Sequence, residues 1–261
     1  MTSTSSELVA FAIDAAREAG ELLLEYQLSR HELATETKSS PTDLVSAADH
    51  ASETLVRKRI SERYPTDGIV GEEHESRVGT SGREWIVDPL DGTTNFLFGV
   101  PTWAVSIACN DSTGPLVGCV LDPSRDELFS ATRGEGSRLN GEIIAVSDRD
   151  SLAHALIATG FNYDSEIRLS QAAQLVTIID QVRDVRRGGA ASLDLAWVAA
   201  GRLDGFYEAG LEPWDWAAGA LLVSEAGGTF AHAPSPHGPD QLVATNGKLG
   251  ARLQRIVSPK K

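Results

Sequence analysis

The run Trp85-Ile86-Val87-Asp88-Pro89-Leu90-Asp91-Gly92-Thr93-Thr94-Asn95-Phe96 constrains the fold more than any other part of the chain. Trp85, Ile86 and Val87 form a short apolar run of the kind found in a buried strand. Pro89 has no backbone donor, so the chain is expected to leave the sheet at that point. Asp88 and Asp91 flank a tight bend, where their carboxylates can converge. Gly92 allows the backbone to approach a ligand closely. Thr93, Thr94 and Asn95 can open a short helix whose N–H groups face outward, toward an anion. The stretch thus offers hard oxygen ligands for a cation beside an anion cradle, a pairing suited to metal-assisted phosphate chemistry. A solvated turn after a strand is the alternative.

With 261 residues, the chain has room for one large domain or two smaller halves sharing an interface. The net charge of -14 argues against unassisted binding to nucleic acid or to anionic membranes, both of which need a basic face. Cys109 and Cys119 lie in apolar runs with no zinc-site spacing. Buried free thiols are expected, with a disulfide as the alternative. Met1 to Glu7 has neither the basic region nor the apolar core of a secretory signal, and no apolar run approaches a membrane span. The expected location is the cytoplasm.

Residues 6–28 carry an amphipathic helical pattern, with Ser5 or Ser6 as N-cap. A loop-like stretch from Thr37 to Thr42 leads to a second helix, roughly 46–63, that Asp49 opens. Ile69-Val70-Gly71-Glu72-Glu73 reads as a strand ending in two acids, which could sit at a sheet edge or form a wet surface pair. Residues 76–83 are Gly/Ser-rich and expected to be mobile. From 103 to 145 short strands suggest an antiparallel meander, with 134–141 irregular.

The pattern changes near Ser151. Strands at 155–158, 182–185, 204–208, 228–231 and 242–245 alternate with helices at 166–180, 190–200, 213–226 and 247–257. This divides the chain into an N-terminal α+β half, 1–150, and a C-terminal α/β half, 151–261. Asp215 falls in the first turn of the helix opened by Pro213, where an acid also serves as a cap. Arg186-Arg187-Gly188-Gly189-Ala190-Ala191 leads into another helix N-terminus. That turn could hold a substrate oxygen, or be close-packed only.

The chain resembles the inositol monophosphatase family of magnesium-dependent, lithium-sensitive phosphatases. The resemblance rests on Gly71-Glu72-Glu73, on Trp85 to Phe96, and on Pro213-Trp214-Asp215-Trp216-Ala217-Ala218-Gly219. Lys38-Ser39-Ser40-Pro41-Thr42-Asp43 with Asp49, and Gly205-Phe206-Tyr207-Glu208-Ala209-Gly210-Leu211, also match in family order. It implies a layered αβαβα sandwich with two to three Mg²⁺ ions per site. The implied ligands are Glu72, Asp88, the Leu90 carbonyl, Asp91 and Asp215. Thr93, paired with Asp49 and assisted by Glu72, is implied to orient and deprotonate water, while Gly92 and Thr93 cradle the phosphate.

Asp91, Ala191, Glu208 and Asp215 are implied to face the substrate hydroxyls. The implied activity is hydrolysis of inositol-1-phosphate by a homodimer that engages neither nucleic acid nor membrane. The alternatives are the same chemistry on fructose-1,6-bisphosphate, histidinol phosphate or a 3'-phosphonucleotide, or a regulatory protein-binding role. Histidinol-phosphate phosphatases differ around Glu208 and commonly carry Thr-Lys-Asn where this chain has Thr93-Thr94-Asn95. Glu212 stands where animal members have His.

Overall fold

A computed structural model describes residues 3–33, 41–235 and 240–258. Helix α1, Ser5–Leu33, begins with a reciprocal cap. The Glu7 N–H donates to Thr4 Oγ1 at 3.2 Å, and the Thr4 N–H donates to Glu7 Oε2 at 2.8 Å. The cap is therefore Thr4, not Ser5 or Ser6. Helix α2 spans Pro41–Arg63, so it starts earlier than the sequence pattern suggests. Proline is well tolerated in a first turn. Asp49 consequently lies inside the helix rather than at its start. Lys38 lies outside the described residues.

A seven-stranded sheet follows, in sequence order: β1 Gly68–Gly71, β2 Glu84–Asp91, β3 Ala104–Asp111, β4 Gly114–Asp122, β5 Glu127–Thr132, β6 Gly136–Leu139 and β7 Glu142–Ile144. Only β1 and β2 pair in parallel; β2 through β7 form the expected meander. The short helix α3, Thr93–Phe98, leaves the end of β2. Residues 134–141 are more regular than expected, because β6 pairs on both sides. The segment 76–83 is tied down: Ile69 and Arg77 exchange backbone hydrogen bonds at 2.9 and 2.8 Å, and Thr80 and Ser81 donate to the Thr66 carbonyl.

The second half contains β8 Leu156–Thr159, α4 Ser165–Val176, β9 Asp184–Arg186, α5 Ala191–Ala199, β10 Gly205–Ala209, α6 Pro213–Glu225, β11 Thr229–Ala233, β12 Gln241–Thr245 and α7 Gly250–Val257. Its five strands form one sheet in the order β11-β12-β10-β8-β9.

Side-chain alternation assigns the layers. Trp85, Val87, Ile107 and Cys119 point to one face of the large sheet, under Leu8, Ala12 and Leu23 of α1 and Val56 and Ile60 of α2. Ile86, Ala108 and Val120 point to the other face. There they meet Leu195 of α5, Leu222 of α6, and Phe206 and Ala244 of the small sheet. Beyond that sheet, Ile157, Tyr207 and Val243 pack with Leu253 and Val257 of α7 and Ile178 after α4. The result is the expected αβαβα sandwich, with α5 and α6 as its middle helical layer. Both cysteines are buried and free.

Candidate metal centre and substrate cavity

Strand β2 does not stop at Asp88-Pro89; it continues to Asp91 through a bulge. Asp88 pairs with Ser106 and Asp91 with Ala104, so three steps on β2 face two on β3. In a regular strand, residues three apart point to opposite faces. The extra residue cancels that offset, and Asp88 and Asp91 line the same cavity. Pro89 is accommodated because a bulge needs no ladder donor there. Ser52 of α2 pins the bulge by donating to the Pro89 carbonyl at 3.0 Å, and Asp88 Oδ1 accepts the Leu90 N–H at 3.0 Å.

Gly92 caps α3 with φ +88°. A side chain there would be strained, and its Cβ would lie 2.9 Å from the Thr102 carbonyl oxygen. The glycine thus serves the chain's own close packing at the turn. Thr93 Oγ1 donates to the Leu90 carbonyl at 3.1 Å. Its hydroxyl also lies near Asp49, where it favours the charged form.

Three further elements bring acids to this end of β2. Helix α2 supplies Asp49, the end of β1 supplies Glu72, and the first turn of α6 supplies Asp215. Oxygens of Asp49, Glu72 and Glu73 lie within 4.8 Å of one another. Asp215 Oδ2 accepts the Glu212 N–H at 2.6 Å, so it caps α6 as well as facing the cavity. Asp91 is held differently, since its Oδ1 accepts from the Ala191 N–H at 3.2 Å and its Oδ2 from the Ser192 N–H at 2.7 Å. The Ser192 hydroxyl also donates to it. Asp91 therefore joins β2 to the N-terminus of α5, where a carboxylate is favoured.

The electrostatics follow from burial and like charge. Asp49 is 3% exposed, and burial, then Glu72 and Glu73, push its carboxyl up to about 8. Burial and Glu73 push Glu72 up to about 7, and burial and Asp91 push Asp215 up to about 7. Asp88, 1% exposed, is driven well above the usual carboxylate range by burial and by Asp91. Burial raises Asp91 as well, against the hydrogen bonds it accepts from Ser192. No salt bridge of the described residues reaches Asp49, Glu72, Asp88, Asp91 or Asp215. Among the described residues, Asp49 Oδ1 is buried without any hydrogen-bond partner. Such a donor set suits a hard cation held by oxygen.

The cavity measures about 150 Å³. Glu72, Asp88, Leu90, Asp91, Gly92, Thr93, Ala191, Glu208 and Asp215 line it. Every candidate from the sequence thus borders it except Asp49, which lies beside Glu72. Glu208 projects from β10 over Gly160, where any Cβ would collide with its carboxylate. Burial and Asp215 push Glu208 up to about 8.

Three contributors were missed, and a fourth, Arg187, was noted only as part of a turn. Buried Glu53 accepts the Glu73 N–H at 2.6 Å and Arg57 at 3.1 Å, fixing the Glu72-Glu73 turn. Ser192 holds Asp91. Asp194, buried behind Glu208, is driven up by burial and by Glu208. Arg187 lines the cavity. Only Arg187 had a visible signal, in the Arg-Arg-Gly-Gly turn before α5.

A layered α/β sandwich with an acidic, oxygen-lined cavity at the end of a bulged strand defines a candidate hard-cation site. The chain belongs to the inositol monophosphatase family, which it matches over residues 4–257. Nus factor SuhB of Pseudomonas aeruginosa is 43% identical over 257 residues, covering 95% of this chain and 94% of that protein. The structure of Mycobacterium tuberculosis SuhB superposes with a TM-score of 0.84 at 34% identity, covering 98% and 97% of the two chains. Inositol monophosphatase from Anabaena superposes with a TM-score of 0.83 at 35% identity, covering 96% and 95%.

Proposed function

We propose that this protein is a Mg²⁺-dependent phosphomonoesterase that hydrolyses inositol-1-phosphate to inositol and phosphate. The observation that carries this is the convergence of Asp88, Asp91, Asp215 and Glu72 on one cavity with no salt bridge to any of them among the described residues. Together with the Leu90 carbonyl, these residues would hold two to three Mg²⁺ ions. Bound there, the ions supply Lewis-acid activation of water and neutralise charge on the phosphoryl group and leaving oxygen.

The remaining steps belong to the chain. Backbone N–H groups of Gly92 and Thr93 receive phosphate oxygens at the turn into α3. The Thr93 hydroxyl orients the attacking water. Thr93, paired with Asp49, helps take its proton, and Glu72 assists. Asp91, Ala191, Glu208 and Asp215 face the hydroxyls of the polyol. Glu208 discriminates most strongly, because an analogue lacking the paired hydroxyls leaves a buried carboxylate unmatched. The proposal extends to a cytoplasmic homodimer of two-half chains, 1–150 and 151–261, for which light scattering should give two chains per particle.

The test is phosphate release at saturating Mg²⁺ from inositol-1-phosphate, fructose-1,6-bisphosphate, histidinol phosphate and 3'-phosphoadenosine 5'-phosphate, with and without Li⁺. A kcat/KM for inositol-1-phosphate at least tenfold above the others is expected, with inhibition by Li⁺. Preference for another ester removes the substrate assignment and leaves the metal chemistry in place. A second reading, a regulatory protein-binding role, draws on relatives named Nus factor SuhB. Asp91→Asn separates the two roles, because an enzyme loses turnover and a scaffold keeps its partner.

A further inference from the structure

We propose that His50, Glu73 and His74 form a second cation site, one that takes a transition ion of the Zn²⁺ class rather than Mg²⁺. The proposal goes beyond the phosphatase reading and does not depend on it. None of the three is among the described residues lining the cavity that Asp88, Asp91 and Asp215 share. His50 lies on α2, one residue after Asp49, and Glu73 and His74 lie in the bend after β1. His50 Nε2 stands 3.1 Å from Glu73 Oε2. Metal bonds of about 2.0–2.1 Å to nitrogen and about 2.0–2.2 Å to oxygen place two tetrahedral ligands of one ion roughly 3.4 Å apart. The His50–Glu73 pair stands close to that spacing.

The second imidazole is set by the fold. His74 Nδ1 stands 3.3 Å from Glu53 Oε1, and Glu53 is fully buried on α2. The same carboxylate accepts Arg57 Nη1 at 3.1 Å and the Glu73 N–H at 2.6 Å, so it fixes the bend that carries Glu73 and His74. With its Nδ1–H given to Glu53, His74 keeps the lone pair on Nε2. A carboxylate behind a histidine fixes tautomer and ring orientation for a metal in this way. His74 Nε2 faces the Thr54 hydroxyl at 3.4 Å, one helical turn along α2 from His50. The two imidazoles meet edge to face, 5.5 Å between centroids. Their side chains are 50% and 37% exposed, and rotation of these open rings brings both Nε2 atoms to one ion beside Glu73, with water completing the shell.

The local charge favours a cation here. Burial, and then Glu72, Glu73 and Glu53, raise the Asp49 carboxyl, and Asp49 Oδ1 has no hydrogen-bond partner among the described residues. Oxygens of Asp49, Glu72 and Glu73 lie within 4.8 Å of one another. Among the described residues, the ion pair of Arg57 with Glu53 is the one arginine or lysine contact to these four acids. Donor type then decides which cation. Carboxylate, carbonyl and water suit Mg²⁺, whereas imidazole nitrogen suits Zn²⁺, Ni²⁺ and their neighbours. Two histidines and one carboxylate, with water in the fourth position, is a set that zinc uses. The two nitrogens therefore separate this site from the oxygen-lined centre.

The experiment is a Zn²⁺ titration of the untagged protein against a chromophoric chelator, with Mg²⁺ held saturating. Wild type should bind one Zn²⁺ per chain. His50→Ala and His74→Ala should each weaken that binding about tenfold or more, and Asp91→Asn should leave it within about twofold. His50→Gln keeps the polarity of the exposed position and should lose the ion as His50→Ala does, which guards against an effect on folding. Co²⁺ in place of Zn²⁺ gives a second readout, a visible absorption band of a tetrahedral nitrogen-ligated ion that disappears in His50→Ala. Zn²⁺ that Mg²⁺ displaces, or that Asp91→Asn weakens as much as His50→Ala does, belongs to the oxygen-lined centre and overturns the proposal. Unchanged affinity in the histidine variants, or no stoichiometric binding by wild type, overturns it as well. Each result can be read whether or not the protein cleaves a phosphate ester.

Discussion

Two groups of buried acids stand near opposite ends of strand β2, and they are solved differently. Asp67, at the end where β2 begins, is fully buried and well partnered. Arg83 donates to it through Nε at 3.0 Å and Nη2 at 3.1 Å, and Trp85 Nε1 donates at 3.0 Å. Asp88 and Asp49, at the other end, face further carboxylates, and Asp49 Oδ1 has no hydrogen-bond partner among the described residues. Burial alone therefore does not mark a metal ligand. The structural acid is supplied with donors by its own fold, whereas the candidate ligands are left with a charge that the fold does not answer. Asp122 belongs to the first kind, since Arg125 donates to it at 2.6 Å.

Removing a charge at each end tests that contrast. Asp88→Asn should lower kcat with Mg²⁺ at least 10⁴-fold, about 5.5 kcal/mol of barrier. The same change should raise the melting temperature in EDTA, because it removes one buried like charge. A lower melting temperature in EDTA would show that Asp88 is structural after all. Asp67→Ala should do the reverse. It leaves a guanidinium and an indole N–H unmatched, so stability should fall by about 3 kcal/mol in chemical denaturation, with kcat for the folded protein near that of wild type.

The pH dependence of cation binding sharpens the comparison further. Asp49, Glu72 and Asp215 have folded-state values near 8, 7 and 7, above the unfolded values of 3.8, 4.5 and 3.8. Between about pH 4 and 8 the folded chain binds more protons than the unfolded chain, so without metal its stability falls as pH rises. Mg²⁺ at a hundredfold excess over its Kd should add about 2.7 kcal/mol at pH 8, roughly 5–10 °C in Tm, and much less at pH 5. Scanning calorimetry at the two pH values, with Mg²⁺ or EDTA, reads this directly. Equal shifts would mean that the clustered carboxylates do not compete between protons and metal.

The residues whose chemistry is written locally were legible. Asp88, Asp91, Glu72 and Asp215 each sit in a short motif; periodicity gave the meander and the alternating second half, while the αβαβα layering came from the family resemblance. What stayed hidden depends on neighbours far along the chain. Asp49 reads as a helix opener because Pro41 and Thr42 look like loop residues, yet the helix runs through them and places Asp49 well inside it. Pro89 reads as a strand terminator, because the partner strand that makes it a bulge lies about 15 residues away in β3. Glu53 has no local mark, and its role appears only where the turn after β1 crosses α2. Residues 76–83 look mobile by composition, but Arg77 ties them down through Ile69, Ser61 and the Asp67 carbonyl.

The bulge between Asp88 and Asp91 also sets a rule of parity for this stretch. A pleated strand counts in twos, and the extra residue changes odd to even for everything that follows it. A single insertion there, with the bulge kept, would turn Asp91 toward the α1–α2 layer and carry Gly92 and the start of α3 with it, although every residue type would survive. A single substitution at Pro89 would change the side chain and leave the count intact. The spacing of the two aspartates is therefore as much a part of the site as their carboxylates, and the length of this segment is held more tightly than its composition.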